Sequence, residues 1–596
     1  MEYKTRAEVP NEYKWDLGKM YKSNKEIEKD INRVNELIPK ILEFKSHIMD
    51  SKDSLYDFLK LTEEQDRLVN KLYVYSKMAF DVDTKDNKTK SLKMKIEKLN
   101  EVLSEQFSFI EPEMMEYDYE KVLRYIEENE KLKAYKFYLE DIYRFKPHSL
   151  SQKEEDIYVK ALNAFGNCSE AFSALNNADI DLGYIKNEKG EEVKLTQSNY
   201  FVFMKSKNRS VRESAFNAMY NYYKNRKNTL ASTYLGEIKE SSFVTNVKKY
   251  NSTLERSLFN DNIDKAVYEN LINSVHNNMD LMYEYMKIRK DLLNLDELHM
   301  YDIYVDLVEN NSEKISFEEG KKILFEALKP LGEKYLNDLN KAFDEKWIDI
   351  YPSVGKRSGA YSWGCYDSYP YLLLNYNDTV DAVSTMAHEL GHSMHSYYSK
   401  SQNYVNSNYP IFLAEIASTV NEVLINNYMY KNAKTKEEKL FYLVDFLDTV
   451  RATLYRQTMF AEFEMLMHEY EQKGFPLTEE EISNTYYDLN KLYYGDNVVS
   501  DDNIRYEWCR IPHFYTPFYV YKYATGLSAA LSIANRILKG DTETRDNYLL
   551  FLSSGGNDYP LNILKKVGVD METPKPIEEA LSLFKDKLNE LKELIK

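Results

Sequence analysis

Thr385-Met386-Ala387-His388-Glu389-Leu390-Gly391-His392-Ser393-Met394-His395 is the stretch from which the rest of this 596-residue chain can be read. Leading into it and within it, Val380, Val383, Met386, Ala387 and Leu390 recur at three- and four-residue steps, the spacing of one packed helix face. A four-residue step along a helix sets His388 and His392 one turn apart on a common side. Two neutral imidazoles so placed can grip one Zn²⁺, and Glu389 lies beside the metal, where it can take a proton from a bound water. A surface helix with two solvated histidines is the plainer alternative, and the apolar flanks speak against it.

Outward from this helix the same periodicity continues. Gly (18) and Pro (14) are scarce. The stretches Ile27 to Ile48, Leu55 to Tyr75, Ile96 to Phe107 and Val122 to Tyr143 repeat apolar residues at helical steps with short loops between them. The expected fold class is therefore mainly α. Two places break the pattern. Residues 179–196 read as a β-hairpin turning at Asn187 to Gly190. Residues 356–376 carry Ser358-Gly359-Ala360-Tyr361-Ser362-Trp363-Gly364 and then Tyr371-Leu372-Leu373-Leu374-Asn375-Tyr376. This reads as a glycine-containing turn followed by a strand, a small β-sheet beside the histidine helix. The strand could pair with a peptide backbone by strand addition. Pro576 to Lys596 closes the chain as an amphipathic helix. Two regions are expected: an N-terminal helical region, 1–200, ending in the hairpin, and a region, 201–596, that carries the metal site.

Bulk properties narrow the partners. With 79 Lys and Arg against 97 Asp and Glu, the formal charge is −18. Phosphate contacts want a basic face, so nucleic acid and anionic membranes are not expected partners. The three cysteines, Cys168, Cys365 and Cys509, are too few and scattered for a disulfide framework or a thiolate metal site. The opening Met-Glu-Tyr-Lys-Thr-Arg-Ala-Glu lacks an apolar core of a signal peptide, and no uncharged run approaches the ~18 residues of a membrane span. A cytoplasmic protein is expected.

A hydrolytic zinc site usually has three protein ligands and one position for water. His395 is the near candidate for the third, but it lies about 10 Å along the helix axis from His388, too far to share a metal at ~2.0–2.1 Å. Its expected role is a hydrogen bond near the site. A better candidate lies in Ile411-Phe412-Leu413-Ala414-Glu415-Ile416-Ala417-Ser418-Thr419-Val420-Asn421-Glu422. Glu415 interrupts a strongly apolar helical run, where a carboxylate is costly unless a cation or hydrogen bonds compensate it. Glu422 falls on the same face two turns later and could hydrogen-bond a ligand imidazole. The plain alternative for each is an exposed helix charge. Further on, residues 510–526 read Arg-Ile-Pro-His-Phe-Tyr-Thr-Pro-Phe-Tyr-Val-Tyr-Lys-Tyr-Ala-Thr-Gly, with His513 and four tyrosines inside eleven positions. A Tyr hydroxyl or a His N–H can serve a developing oxyanion, although in so tyrosine-rich a chain an aromatic core stripe is an equal reading for any one Tyr.

Taken together, these residues resemble the thimet oligopeptidase-like zinc metallopeptidases, and within them the oligoendopeptidase F branch. The resemblance rests on Gly359-Ala360-Tyr361, on His388 to His395, on Glu415, Ser418 and Glu422, and on His513 to Tyr521. Trp15-Asp16-Leu17 and Asn246 to Leu258 extend it over nearly the whole chain. It implies a helical ellipsoid whose two lobes enclose one deep channel with zinc on its floor, and cleavage of short peptides in the cytoplasm. It implies one Zn²⁺ per chain held by His388, His392 and Glu415, Glu389 as catalytic base, and His513 with one of Tyr515, Tyr519 and Tyr521 as transition-state donors. The expected partners are oligopeptide substrates. A helical zinc carboxypeptidase with the same metal motif, or a catalytically silent peptide-binding protein, are the competing readings.

Overall fold

Apolar spacing of three and four turns into helix along most of the chain, which is 69% helical. Asn24–Leu42 shows how: Ile27, Ile31, Val34, Leu37 and Ile41 fall on one stripe, and all are buried. In the next helix, Lys52–Asp81, the N-cap Ser51 accepts the Ser54 N–H and so satisfies one of the amides that a first turn leaves over. The computed structural model describes residues 3–162, 165–308 and 314–596. Among them, no helix is long and apolar enough to cross a membrane.

One expected helix is interrupted. Val122 to Tyr143 divides into Tyr119–Glu128, a 3-10 segment at Glu130–Tyr135, and Lys136–Arg144. The break falls at Asn129, whose extended backbone ends one helix while its side chain caps the next by accepting from the Lys131 N–H. Asparagine bonds its own neighbouring backbone readily, and here that local bond overrides the apolar period.

The chain divides into two compact units, each assembled from three separated segments: Met1–Ser149, Ser312–Tyr428 and Ile533–Gly568 in the first, Leu150–Asn311, Met429–Ser532 and Val569–Lys596 in the second. The second contains the hairpin, with Tyr184–Lys186 antiparallel to Glu192–Lys194 and the turn closed by Gly190 N–H to Asn187 C=O. It also contains the closing helix Lys575–Ile595, which buries Ile577, Leu581, Phe584, Leu588 and Leu591.

In the first unit a three-stranded sheet stands against the histidine helix. Tyr371–Leu373 is its middle strand, parallel to Ile348–Asp349 and antiparallel to Tyr361–Trp363. This corrects the expected use of Tyr371 to Tyr376 as a strand that receives a peptide. Both sides of Tyr371–Leu373 are already paired, and Leu374 and Tyr376 continue the ladder to the carbonyls of Asp349 and Ile350. The outer strand next to the histidine helix is Tyr361–Trp363, joined to the helix by Ser362 Oγ and Ser393 Oγ at 2.7 Å.

Candidate metal centre

Val380–Ser399 is one helix, started by Thr379, whose Oγ1 accepts the Ala382 N–H. Ala387, Leu390 and Met394 are buried on one side, while His388 and His392 are half-buried on another. The second contributor is the helix Ile411–Asn432, where Phe412, Leu413, Ile416, Ala417 and Val420 are buried around a half-buried Glu415. The two helices touch backbone to backbone at Gly391. A Cβ there would lie 2.6 Å from Ser418 Cα and 2.7 Å from the Ala417 oxygen. Buried Asn421 completes the clasp: its amide donates to the Ala387 carbonyl at 3.0 Å and its oxygen accepts from the Tyr335 hydroxyl at 3.3 Å.

This close approach brings three ligand atoms together. His388 Nε2 and His392 Nε2 are 3.1 Å apart, and Glu415 Oε2 is 3.7 Å from the first and 3.8 Å from the second. Four ligands around Zn²⁺ at ~2.0–2.1 Å have edges of about 3.3 Å, so the triangle has the size of one face of such a tetrahedron. The outer nitrogens are committed as donors: His388 Nδ1 to Glu422 Oε1 at 3.0 Å, and the His392 ring to the Ala414 carbonyl. Both Nε2 atoms therefore face the same point, where they can share a proton or, with both rings neutral, a metal ion. The donor set fits a divalent metal ion.

Electrostatics point the same way. Burial disfavours charge on both rings, but at His388 the carboxylates of Glu422, Glu389 and Glu415 outweigh it and hold the imidazolium up to about 9. At His392 burial, with the His388 charge, pushes the ring down to about 3. Glu389 is buried, which pushes it up to about 7, while His388 and the Ser362 N–H it accepts act in the opposite sense. His388, Glu389 and Glu422 line a cavity of about 490 Å³, with Gly359, Ala360 and Asn375 on its far side. The Asn375 amide donates to the carbonyls of Arg357 and Gly359 and holds that wall in place.

His395 does not take its expected hydrogen bond. It is fully buried, its ring stacks on Tyr409 at 3.6 Å, and neither nitrogen has a partner among the described residues. The residue packs about two turns along the helix from His388, against Tyr409 and Phe551.

The second unit holds His513, in the 3-10 turn Pro512–Tyr515. Its Nε2 is 3.2 Å from the hydroxyl of Tyr523, and its ring lies 5.9 Å from that of Tyr519, which in turn meets Tyr523 at 5.5 Å. Burial, with the charge of Arg456, lowers the His513 ring below its ordinary value. Of the three tyrosines expected as donors, Tyr519 alone stands in this group. Tyr521 is buried against Tyr268, and the Tyr515 hydroxyl meets Thr233 Oγ1 at 2.7 Å while its ring stacks on Phe172. Tyr523, four residues beyond Tyr519, was not among the expected donors and is the residue that meets His513 Nε2. The turn that aims these rings passes through Phe518 in the left-handed region (φ 57°), its N–H held at 2.8 Å by the fully buried Glu464.

A profile described as peptidase family M3 matches residues 202–583, and one described as oligopeptidase F matches residues 113–181. The chain belongs to peptidase family M3. Its M3 relatives include oligopeptidase PepF of Bacillus subtilis, 42% identical over 99% of this chain and 88% of that protein, and the plasmid oligoendopeptidase F of Lactococcus lactis subsp. cremoris, 39% identical over 99% of both. Among solved structures, oligoendopeptidase-F from Enterococcus faecium matches with a TM-score of 0.75 and 34% identity over 96% of this chain and 99% of that one. The M3 assignment makes this chain a metallopeptidase, and its three converging donors form a group that could hold a metal ion.

Proposed function

We propose that the chain is a zinc-dependent endopeptidase that hydrolyses internal bonds of short peptides, with one Zn²⁺ held by His388, His392 and Glu415. The observation that carries this reading is the triangle of two imidazole Nε2 atoms and one carboxylate oxygen, with Glu389 on the adjoining cavity wall. The relatives named oligoendopeptidase F support the internal cut and the peptide substrate.

A zinc ion bound there supplies Lewis acidity, which makes water nucleophilic near neutral pH. Glu389 would take a proton from the attacking water as its oxygen bonds to the carbonyl carbon, and pass it to the amine nitrogen as the C–N bond breaks. Glu422 and the Ala414 carbonyl keep the outer nitrogens protonated and the inner lone pairs turned inward. His513, with Tyr519 and Tyr523, donates hydrogen bonds to the carbonyl oxygen as negative charge develops on it.

The test is digestion of a peptide blocked at both ends, read by mass spectrometry. Wild-type protein is expected to cut an internal bond, to lose that activity on chelation and to regain it with Zn²⁺. Glu389→Gln should keep its metal and lose roughly 10²–10⁴-fold in kcat. A blocked peptide left uncut would favour a carboxypeptidase, and full activity in Glu389→Gln would remove the proposed base.

A further inference from the structure

Tyr515, left over from the catalytic group, forms one wall of a second cavity, of about 490 Å³, lined entirely by residues of the second unit. Pro512 and Thr516, which flank His513 in sequence, line it too, so the cavity opens beside the turn that carries His513. Among the described residues no Asp, Glu or Lys lines it, and Arg510 is its single charge. Asn177 and Gln197 give it a neutral polar rim.

Arg510 is incompletely partnered. Its Nη1 donates to the Tyr220 hydroxyl at 3.3 Å and lies 3.8 Å from Glu507 Oε1, and the other guanidinium nitrogens make no hydrogen bond among the described residues. Glu507 is already engaged, by Arg456 at 2.6 Å and by the Tyr486 hydroxyl at 2.5 Å. Two arginines thus share one buried carboxylate, and the group carries one positive charge too many. The same two-to-one ratio occurs around Asp302 and Asp448, but Arg510 turns its surplus charge toward a cavity. A half-buried guanidinium that shares its one nearby carboxylate with Arg456 and turns open donors toward a cavity can hold a planar anion by two parallel bonds.

We infer that this cavity binds a carboxylate of the peptide substrate, with Arg510 as its anchor, and so favours substrates that carry an acidic group there. The inference rests on the peptidase reading above. It adds a specificity-determining residue outside the metal centre.

The experiment compares an internally quenched peptide in three forms: free C-terminal acid, C-terminal amide, and amide carrying a Glu at its last position. For wild-type protein the acid is expected to have a KM about tenfold or more below the amide, with kcat little changed. Recovery of the low KM by the Glu-bearing amide assigns the site to acidic side chains; no recovery assigns it to the chain terminus. Arg510→Gln should erase the preference. Asn177→Asp should do the same by placing a fixed carboxylate in the cavity while Arg510 and its buried partners stay in place, and it decides the matter if Arg510→Gln does not fold. Equal KM for all three forms in wild-type protein, or a preference that survives both variants, overturns the inference. In either case chelator-sensitive cleavage of these peptides continues, whereas its loss for every form would overturn the peptidase mechanism itself.

Discussion

Glu422 is not among the proposed ligands, yet it bears on which nitrogen of His388 faces the proposed metal position. Its carboxylate accepts from Nδ1 at 3.0 Å, so that in the neutral ring Nε2 carries the lone pair. Glu422→Ala is expected to weaken metal binding by roughly 10–100-fold, and Glu422→Gln, which can still accept through its amide oxygen, by less. Competition against a metal-chelating dye reads both. Gly391 acts through what it lacks. Alanine there would press its Cβ onto the Ser418 and Ala417 backbone, which cannot swing aside as a side chain can. Gly391→Ala should cost about 1–3 kcal/mol or more in stability, and should also lower metal affinity, because separating the helices draws Glu415 away from the imidazoles. Unchanged thermal unfolding together with full metal content would show that the helices tolerate the extra atom.

At the scale of elements, the turn leading into Tyr519 depends on a carboxylate in another helix, Arg456–Gln472. Glu464 is fully buried, one oxygen bonds the Phe518 N–H, and the other has no partner among the described residues. Around it stand Tyr234 and Tyr268, and His468, one turn on, lies tilted against Phe518 at 4.8 Å. Burial pushes Glu464 from about 4.5 up to about 8. Between those values the folded chain holds more protons than the unfolded one, so this residue's contribution to stability falls as pH rises from about 4.5 and levels off above about 8. Glu464→Gln keeps an acceptor for Phe518 and removes the charge. It should match wild-type stability near pH 5 and exceed it at pH 8.5, by an amount that denaturant unfolding at the two values measures. Glu464→Leu should instead lose the bond and lower kcat. These elements also mark what a sequence can disclose. That His388 and His392 converge is legible because a four-residue step is a local fact, and that Glu415 joins them because a carboxylate in an apolar run needs compensation close by. Tyr523 was not legible as a partner of His513. Its direction follows from the left-handed Phe518, and that conformation is held by a residue in another helix. The middle position of Tyr371–Leu373 was hidden for a similar reason: strand order depends on pairing with Ile348–Asp349, which no local pattern records.

Across the whole molecule, most of the mainly α architecture follows from helical periodicity, while the threading of the chain does not. Behind the histidine helix pack residues from Ile533–Gly568: Phe551 meets the His395 ring at 5.2 Å, the Leu552 carbonyl accepts from Ser399 Oγ, and the Tyr548 hydroxyl reaches the Ala417 carbonyl at 3.4 Å. A fragment ending at Tyr428 contains every proposed ligand but not this backing. It is expected to bind Zn²⁺ far more weakly than the full chain and to unfold without a sharp transition, as equilibrium dialysis and calorimetry would show. A fragment that bound metal with full affinity would mean that the backing is dispensable. The same threading governs how the protein is born. A ribosome releases the two histidines and Glu415 long before residues 533–568, and the second unit waits for Val569–Lys596. Neither unit can be completed while the first two-thirds of the chain is all that has emerged, so a nascent peptidase of this design stays inactive until its synthesis is almost finished.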